Sequence, residues 1–204
     1  FQFMTYSNAA NQSTPPSGSN GPGPIALLKR LLKILLLLGV GYLAFVYSAD
    51  IRQQLTTYVG NAMRYSKLIK QDPPQPNSLP TPIPNAHLTD TWGAARSGGR
   101  HHEGIDIFAA RGTPIHSTTP GIVRKVGTDS LGGNVVSILG PGGVGHYYAH
   151  LQQFADIQPG DWVEVGTVLG YVGDSGNAKG TPPHVHYGIY TQSGAVNPYP
   201  LLAK

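Results

Sequence analysis

The sequence predicts an all-β domain, mainly antiparallel and barrel-like or sandwich-like, that follows a transmembrane helix and a stalk. From residue 86 onward, short apolar runs alternate with period two between Gly and Pro residues, and no stretch keeps helical periodicity over three turns. Residues 34–49 instead form an uncharged apolar run directly after a basic cluster. Six prolines between positions 73 and 84 separate the two regions.

The first segment, residues 1–26, is rich in Ser, Asn, Gly and Pro and offers few apolar side chains to a core, which predicts a disordered tail. Lys29, Arg30 and Lys33 follow it and precede the apolar run. The positive-inside rule puts these basic residues, and the tail before them, in the cytoplasm. The C-terminal domain is then expected on the outer side of the membrane.

The second segment, residues 27–49, is predicted to be the transmembrane helix and a signal anchor. Its uncharged part is short for the ~20 residues that span a bilayer, but Leu31 and Leu32 extend it and Lys33 can reach the interface. Small residues near Ser48 leave a cleaved signal peptide as an alternative, and both interpretations export the domain. A buried core helix is a weaker third interpretation, because a Leu-rich helix that is apolar on all sides is typical of a bilayer.

Two segments connect this helix to the domain. Residues 50–71 are predicted to form a juxtamembrane helix, since apolar side chains recur at helical spacing from Ile51 to Met63. We expect a helical stalk there, with pairing to a partner helix as the alternative. Residues 72–85 follow as a Pro-rich linker of extended chain, and the domain is expected to occupy residues 86–204.

Charge and cysteine content exclude several kinds of function and site. The first 85 residues carry seven Lys and Arg against two acidic residues, whereas residues 86–204 carry seven against eight. The basic isoelectric point therefore belongs to the front of the chain. A near-neutral domain with scattered basic residues argues against nucleic-acid binding. The sequence has no cysteine, which excludes disulfides and thiolate metal sites.

Three short motifs in the domain place polar side chains at even spacing. They are His102-Glu103-Gly104-Ile105-Asp106, Tyr148-Ala149-His150-Leu151 and His184-Val185-His186-Tyr187. Alternate residues of a strand share a face, so each motif is expected to present its polar pair together. A hydrolytic zinc site needs three His or carboxylate ligands and an open position for water. Two or three of these histidines together with Asp106 meet that need, although each motif alone is a weak signal.

A different interpretation of the first motif is a degenerate zinc-binding helix of the HExxH type. His102-Glu103 would then begin the helix, and Asp106 would replace its second histidine. Gly104 and the β-rich surroundings argue against a helix at this position.

Taken together and in this order, the motifs resemble those of the lysostaphin-type (LytM) peptidases over about residues 86–200. The resemblance also rests on the segments around and between the three motifs, which are 92–93, 98–107, 112–115, 121–123, 160–166, 170–173 and 180–183. These separate segments arrive in the family's order at compatible spacings, and no essential position departs from the pattern. The resemblance does not extend to residues 1–85.

The resemblance implies a β-sheet fold of the duplicated-hybrid-motif type and a site of five residues. His102, Asp106 and His186 would bind one zinc ion per domain, while His150 and His184 would flank the zinc-bound water as general base and transition-state stabiliser. Spacing alone does not choose between His184 and His186 as the ligand, and the family resemblance makes that choice. Which of His150 and His184 acts as the base stays open.

The implied function is that of a membrane-anchored zinc endopeptidase that hydrolyses peptide cross-links in bacterial peptidoglycan. The protein would cross the bacterial inner membrane once, hold its C-terminal domain in the periplasm and bind peptidoglycan stem peptides. One alternative is a non-catalytic LytM domain that activates a cell-wall amidase, which would have lost ligands. Another is a lipoyl-type carrier barrel, suggested by the turns at 159–161 and 165–166, which would need a lysine at the hairpin tip.

For one tyrosine and three further histidines, the sequence predicts a role less specifically. Tyr148 is expected to contact the reaction intermediate, to orient His150 or to pack in the core. His101 is expected to point away from the ligands, and His116 and His146 are expected to have structural or surface roles.

Two loops are expected to border the site. Arg96 and Arg100 lie in a Gly-rich loop before the first ligand, where they would meet carboxylates of wall peptides or be ordinary solvated charges. The loop from Asp174 to Pro183 is expected to form one wall of the cleft.

Overall fold

The computed structural model describes residues 23–203 of the chain. These residues divide into two compact units, which meet between Leu55 and Thr56. Most of the predicted tail, residues 1–22, lies outside the described residues, as does Lys204.

Helix α1 comprises Pro24–Tyr47, where the sequence predicts the membrane span. Pro24 suits the first turn because the N–H that proline lacks would have no partner there. The five consecutive side chains of residues 34–38 are all more than half exposed, so apolar surface surrounds this part of the helix. Its 24 residues extend about 36 Å, which exceeds a bilayer core of about 30 Å. The length and composition suit a membrane span, and a signal sequence near the N-terminus would share both.

Helix α2 comprises Ala49–Leu68, so it ends three residues before the predicted end of the juxtamembrane helix. Apolar residues on most of its length are exposed, including Tyr58 and Met63. Its last turn belongs to the second unit: Leu68 is buried, and the Arg64 guanidinium lies 5.5 Å from the centre of the Trp162 ring.

The second unit is built on one nine-stranded sheet, and every pairing between these strands is antiparallel. The order is β1-β8-β5-β4-β3-β6; β7 pairs with β2 and β5, and β9 pairs with β8. This confirms the predicted fold class. The strands are β1 Ile105–Phe108, β2 Pro114–His116, β3 Gly121–Asp129, β4 Gly133–Leu139, β5 Gly145–Phe154, β6 Trp162–Val163, β7 Val168–Val172, β8 His184–Thr191 and β9 Gly194–Val196.

The core of the sheet domain follows from period-two alternation. On β8, Val185, Tyr187 and Ile189 are buried on one face, and they pack with the buried residues of β1 and β5 in a single apolar cluster. Complete burial of such a side chain contributes about 1.5–3 kcal/mol. The opposite face of β8 is thereby left for His184 and His186.

The Pro-rich segment 72–85 does not run free of the domain as the linker prediction expects. Leu79 forms a parallel bridge with Leu202, and its N–H donates to the Leu201 carbonyl oxygen at 3.0 Å. The His116 N–H donates to the Pro82 carbonyl oxygen at 2.8 Å, and Ile83 is buried in the core cluster. The prediction counted prolines and missed the two apolar anchors between them. The earlier part of the segment contacts the domain as well, since the Asn77 N–H donates to the Pro200 carbonyl oxygen at 3.0 Å and Pro73 lies beside Gly142.

Candidate active site

The pairing of β1 with β8 sets the floor of a cleft. In this antiparallel register Asp106 lies opposite His186, and Phe108 lies opposite His184. Because alternate residues share a face, all four side chains project from the same side of the two strands. Strand β5 continues the floor, with Ala149 opposite His186. The third motif thus has the predicted geometry, with His184 and His186 on one face.

His102 reaches the same point without belonging to a strand, since β1 begins only at Ile105. Its Nε2 lies 2.8 Å from His186 Nδ1 and 3.0 Å from Asp106 Oδ1. A side chain at position 104 would obstruct this approach, because a Cβ there would lie 2.5 Å from the Tyr187 carbonyl oxygen and 2.6 Å from the His186 ring. Gly104 therefore permits the close passage of the chain over β8.

Three atoms converge at this point: His102 Nε2, Asp106 Oδ1 and His186 Nδ1. Their separations are 2.8, 3.0 and 3.2 Å. Tetrahedral zinc with ligands at about 2.0–2.1 Å would set its ligand atoms about 3.3 Å apart. The set therefore suits a small divalent cation by number, chemistry and spacing. These are the three residues that the sequence analysis names as ligands, and their role as ligands stays a prediction.

Hydrogen bonds to backbone carbonyls fix three of the four imidazoles that the sequence predicts for the site. His102 Nδ1 lies 2.7 Å from the Thr91 oxygen, His150 Nδ1 lies 2.9 Å from the Ser175 oxygen, and His184 Nδ1 lies 2.8 Å from the Pro182 oxygen. A carbonyl only accepts, so each Nδ1 carries the proton. Each Nε2 then has a free lone pair, which is the tautomer that a ligand or a general base requires.

His150 enters the cleft through an irregularity in β5. The strand carries one extra residue between its pairings with Asn134 and Val136, and His150 has φ of +65°, a conformation that L-residues rarely adopt. This bulge places His150 beside Ala149 on the cleft side. Its ring lies 5.0 Å from that of His184.

Because of this bulge, Tyr148 and His150 do not share a face as their spacing predicts, and of the three roles expected for Tyr148 the structure supports packing in the core. Tyr148 points into the core, where it is fully buried and its hydroxyl accepts from the Thr118 N–H at 3.0 Å. Tyr147 lines the cleft instead, with its ring 6.1 Å from that of His186. The sequence analysis missed Tyr147 and Phe108, although Phe108 shares the strand face of Asp106.

The electrostatics of the site favour the neutral forms of His150 and His186 and the ionised form of Asp106. Burial alone would raise the pKa of Asp106, but hydrogen bonds with His102 and His186 outweigh it and hold that pKa well below its usual value. Burial lowers the pKa of His150 to about 4, and the neighbouring His184 adds to this effect. Burial also lowers the pKa of His186. Neutral imidazoles and a carboxylate are the forms that bind metal.

The cleft extends well beyond the convergent atoms. Its walls come from the loop around Arg96 and Arg100, the β3–β4 turn with Leu131, and residues 177–182 of the loop that was expected to form a wall. His101 also lines the cleft, so the expectation that it points away is wrong; its residue lies in a loop rather than on a strand.

The other two histidines lie outside the cleft. His146 is completely buried in the core, and its Nδ1 lies 2.8 Å from the Tyr187 hydroxyl. His116 is half-buried on β2. Both positions agree with structural roles.

Comparison with known proteins gives a consistent family. The model of peptidase family M23 matches residues 100–198. An L-Ala–D-Glu endopeptidase of Bacillus subtilis is 43% identical over 139 residues, which cover 62% of this chain and 43% of that protein. Lysostaphin of Staphylococcus simulans is 31% identical over 112 residues, 52% of this chain and 22% of lysostaphin. The chain thus spans less than half the length of these relatives.

Two solved catalytic domains are matched almost completely. A variant catalytic domain of the prophage-encoded M23 protein EnpA from Enterococcus faecalis is 34% identical, with 60% of this chain and 95% of that domain covered at a TM-score of 0.51. The lysostaphin catalytic domain from Staphylococcus simulans is 28% identical, with 59% and 94% covered at a TM-score of 0.53.

Proposed function

The chain belongs to peptidase family M23, and we propose that it is a zinc-dependent endopeptidase that hydrolyses peptide cross-links of bacterial peptidoglycan. The observation that carries this proposal is the convergence of His102, Asp106 and His186 on one point of a cleft. The activities of the relatives support the substrate class, since the relatives include an L-Ala–D-Glu endopeptidase and a peptidoglycan DD-endopeptidase.

Zinc would be held by His102 Nε2, Asp106 Oδ1 and His186 Nδ1, with the fourth position left open. When bound, the ion would supply a Lewis acid that polarises the scissile carbonyl and lowers the pKa of bound water to roughly 7. Asp106 has a second task, because its Oδ2 accepts from Arg96 at 2.5 Å while Oδ1 faces the histidines. That hydrogen bond fixes the carboxylate in the plane that its ligand role requires.

His150 and His184 would move the protons. Each keeps its proton on Nδ1 and offers the Nε2 lone pair, and His184 Nε2 lies only 3.9 Å from Asp106 Oδ1. One imidazole accepts a proton from the attacking water. The imidazolium that results can stabilise the oxyanion or protonate the leaving amine, so the pair completes the bond cleavage without a further acid.

The N-terminal segment supports an anchored enzyme. Residues 27–49 would cross the bacterial inner membrane once as a signal anchor, residues 50–71 would continue as a juxtamembrane helix, and the domain of residues 86–204 would act in the periplasm. Exposed apolar side chains around α1 and the preceding basic residues support this orientation. Retention of the full-length chain in membranes after alkaline carbonate washing is expected; release of a shortened chain would favour a cleaved signal peptide.

The test of activity is digestion of purified sacculi by the full chain in detergent, with zinc content measured alongside. Wild type is expected to bind about one zinc per chain and to release uncross-linked muropeptides. His102→Ala should lose both zinc and activity, whereas His87→Ala, an exposed histidine outside the cleft, should lose neither. Zinc binding without release of any muropeptide would contradict the proposal and favour an activator of a wall amidase.

A further inference from the structure

A closed loop presents two arginines to the cleft. Ala95 and His101 form an antiparallel bridge, and the Arg96 N–H donates to the Arg100 carbonyl oxygen at 2.9 Å. Between them Gly98 and Gly99 both have φ of +72°, which only glycine adopts readily. The turn thereby holds Arg96 and Arg100 side by side at its base, and both side chains line the cleft.

Neither guanidinium is saturated by its contacts among the described residues. Arg96 meets Asp106 Oδ2 through one terminal nitrogen, and its side chain remains 35% exposed. Within the described part of the chain, the Arg100 side chain hydrogen-bonds only to Ser97, whose carbonyl oxygen accepts from Nε at 3.2 Å. A guanidinium has five N–H donors, so both arginines keep donors for a further acceptor.

Apart from Asp106, the described acidic residues that line the cleft, Glu103 and Asp129, form no ion pair with either arginine. The Asp129 carboxylate accepts from the Tyr147 hydroxyl at 2.8 Å and from the Gly132 N–H at 2.6 Å, and Lys125 lies 3.5 Å away. Glu103 lies near Tyr190, where its charge contributes to the raised pKa of that phenol after burial. Besides burial, Glu103 and Asp129 both raise the pKa of Tyr190, so these two carboxylates lie on the Tyr190 side of the cleft, and Asp106 is the carboxylate that contacts the arginine loop.

We propose that Arg96 and Arg100 form a carboxylate subsite, which selects substrates with a free carboxylate on a residue next to the scissile bond. This inference rests on the proposed function and narrows its substrate class. D-Glu retains a free carboxylate within a peptide because only one of its two carboxyl groups joins the chain. Diaminopimelate can do the same. A polyglycine bridge has no such group, so it would be a poor substrate.

The size of the effect follows from the chemistry of the contact. Arginine binds carboxylates through paired, charge-assisted hydrogen bonds, which are about twice as strong as neutral ones. Loss of such a contact is expected to lower kcat/KM by about 10- to 100-fold. The contact forms in the bound substrate as well as in the transition state, so most of the loss should appear in KM.

The experiment compares three zinc-loaded full-length proteins: wild type, Arg100→Gln and the matched control Arg124→Gln, which changes an exposed arginine on β3. The probes are an L-Ala–D-Glu peptide and a D-Ala–diaminopimelate peptide, each paired with a version whose carboxylate is a carboxamide, and pentaglycine. For wild type and Arg124→Gln, kcat/KM should be at least about tenfold higher for one or both carboxylate peptides than for the corresponding carboxamide. Arg100→Gln should lose that preference at unchanged zinc content.

Comparison of the two carboxylate peptides shows whether D-Glu or diaminopimelate supplies the carboxylate. Arg96→Gln tests the second arginine, and its zinc content is measured as well because Arg96 contacts Asp106. Equal cleavage of carboxylate and carboxamide peptides, or efficient cleavage of pentaglycine, would overturn the subsite and leave the proposed function standing. If zinc-loaded wild type cleaves neither peptides nor sacculi, the proposed function fails and the subsite fails with it.

Discussion

The two faces of strands β5 and β8 use the same residue types for opposite purposes. On the cleft face, His150, His184 and His186 turn ring nitrogens toward a common space. On the core face, His146 and Tyr187 are completely buried and hydrogen-bond to each other at 2.8 Å. The core groups hydrogen-bond to one another through His146 Nδ1, and His146 Nε2 is buried with no partner among the described residues, whereas the cleft groups turn lone pairs toward open space. Position within the pleat therefore decides whether a histidine stabilises the fold or serves the chemistry.

The core network has Thr118 at its centre. Its Oγ1 lies 2.7 Å from the Tyr187 hydroxyl, 2.9 Å from the Tyr148 hydroxyl and 3.2 Å from His146 Nδ1. Burial raises the pKa of both phenols, so they stay protonated and can donate. Because Tyr187 follows His186 directly, this network holds β8 from beneath. The cleft face thus depends on the core face for its geometry and not for its chemistry.

The largest expected effect comes from removing a metal ligand on the cleft face. His186→Ala should abolish zinc retention and lower muropeptide release by at least about 10³-fold, because the Lewis acid is lost with its ligand. Zinc analysis and sacculus digestion measure both quantities. Retained zinc and activity in this variant would mean that the convergent atoms are not the metal site.

A smaller loss is expected from the groups that move protons. His184→Ala should keep about one zinc per chain but lose about 10²–10⁴-fold in kcat, the usual contribution of general acid–base catalysis. His150→Ala should behave alike. Loss of zinc in either variant would instead make that histidine a ligand, and would overturn the assignment that family resemblance made.

On the core face the expected effect is on stability. Thr118→Val removes the central hydroxyl and should lower the free energy of unfolding by about 1–3 kcal/mol, since three buried partners lose a hydrogen bond. Activity of the folded protein should change less than about threefold. Urea denaturation and sacculus digestion separate the two. A large fall in kcat at unchanged stability would show that the faces are not independent.

The smallest expected effect is on the pH dependence of stability and concerns His146. Burial of this imidazole lowers its pKa to about 3. The unfolded chain, with a pKa of about 6.5, then binds more protons between pH 6.5 and 3 than the folded chain does. The contribution of the neutral imidazole to the free energy of unfolding is fully present above pH 6.5. As the pH falls below 6.5, this contribution decreases by up to about 1.4 kcal/mol per pH unit.

His146→Gln should remove this dependence. In chelator-treated protein, the stability gap between wild type and His146→Gln should shrink by about 1–2 kcal/mol between pH 7 and pH 5, because only wild type loses stability through this group. Urea melts at the two pH values measure the gap. A constant gap would show that His146 does not titrate as its burial implies.

The sequence predicts the regular parts of both faces and misses the irregular ones. Alternation in Val185, Tyr187 and Ile189 gives the core face of β8 and therefore the cleft face of His184 and His186. Alternation fails at β5, where the bulge at His150 reverses the expected side of Tyr148. A bulge depends on pairing with neighbouring strands, and residue spacing within one strand does not contain that information.

Two further differences between the prediction and the structure also arise from contacts between segments that are distant in the sequence. His102 joins the site from a loop, because the chain passes closely over β8 at Gly104. The Pro-rich segment is held by Leu79 against Leu202, more than a hundred positions away in the chain. Neither the passage nor the pairing has a local signature. The choice of ligands, in contrast, rests on the family resemblance, since spacing alone does not decide between His184 and His186.

The central claim is that the cleft face becomes catalytic through one zinc ion held by His102, Asp106 and His186. The most direct test is to strip the full-length protein with a chelator and to follow sacculus digestion while zinc is added back stepwise. Activity should be absent from the stripped protein, rise in proportion to added zinc and reach its plateau at about one equivalent per chain. Full activity in stripped protein, or saturation with one zinc and no return of activity, would contradict the claim.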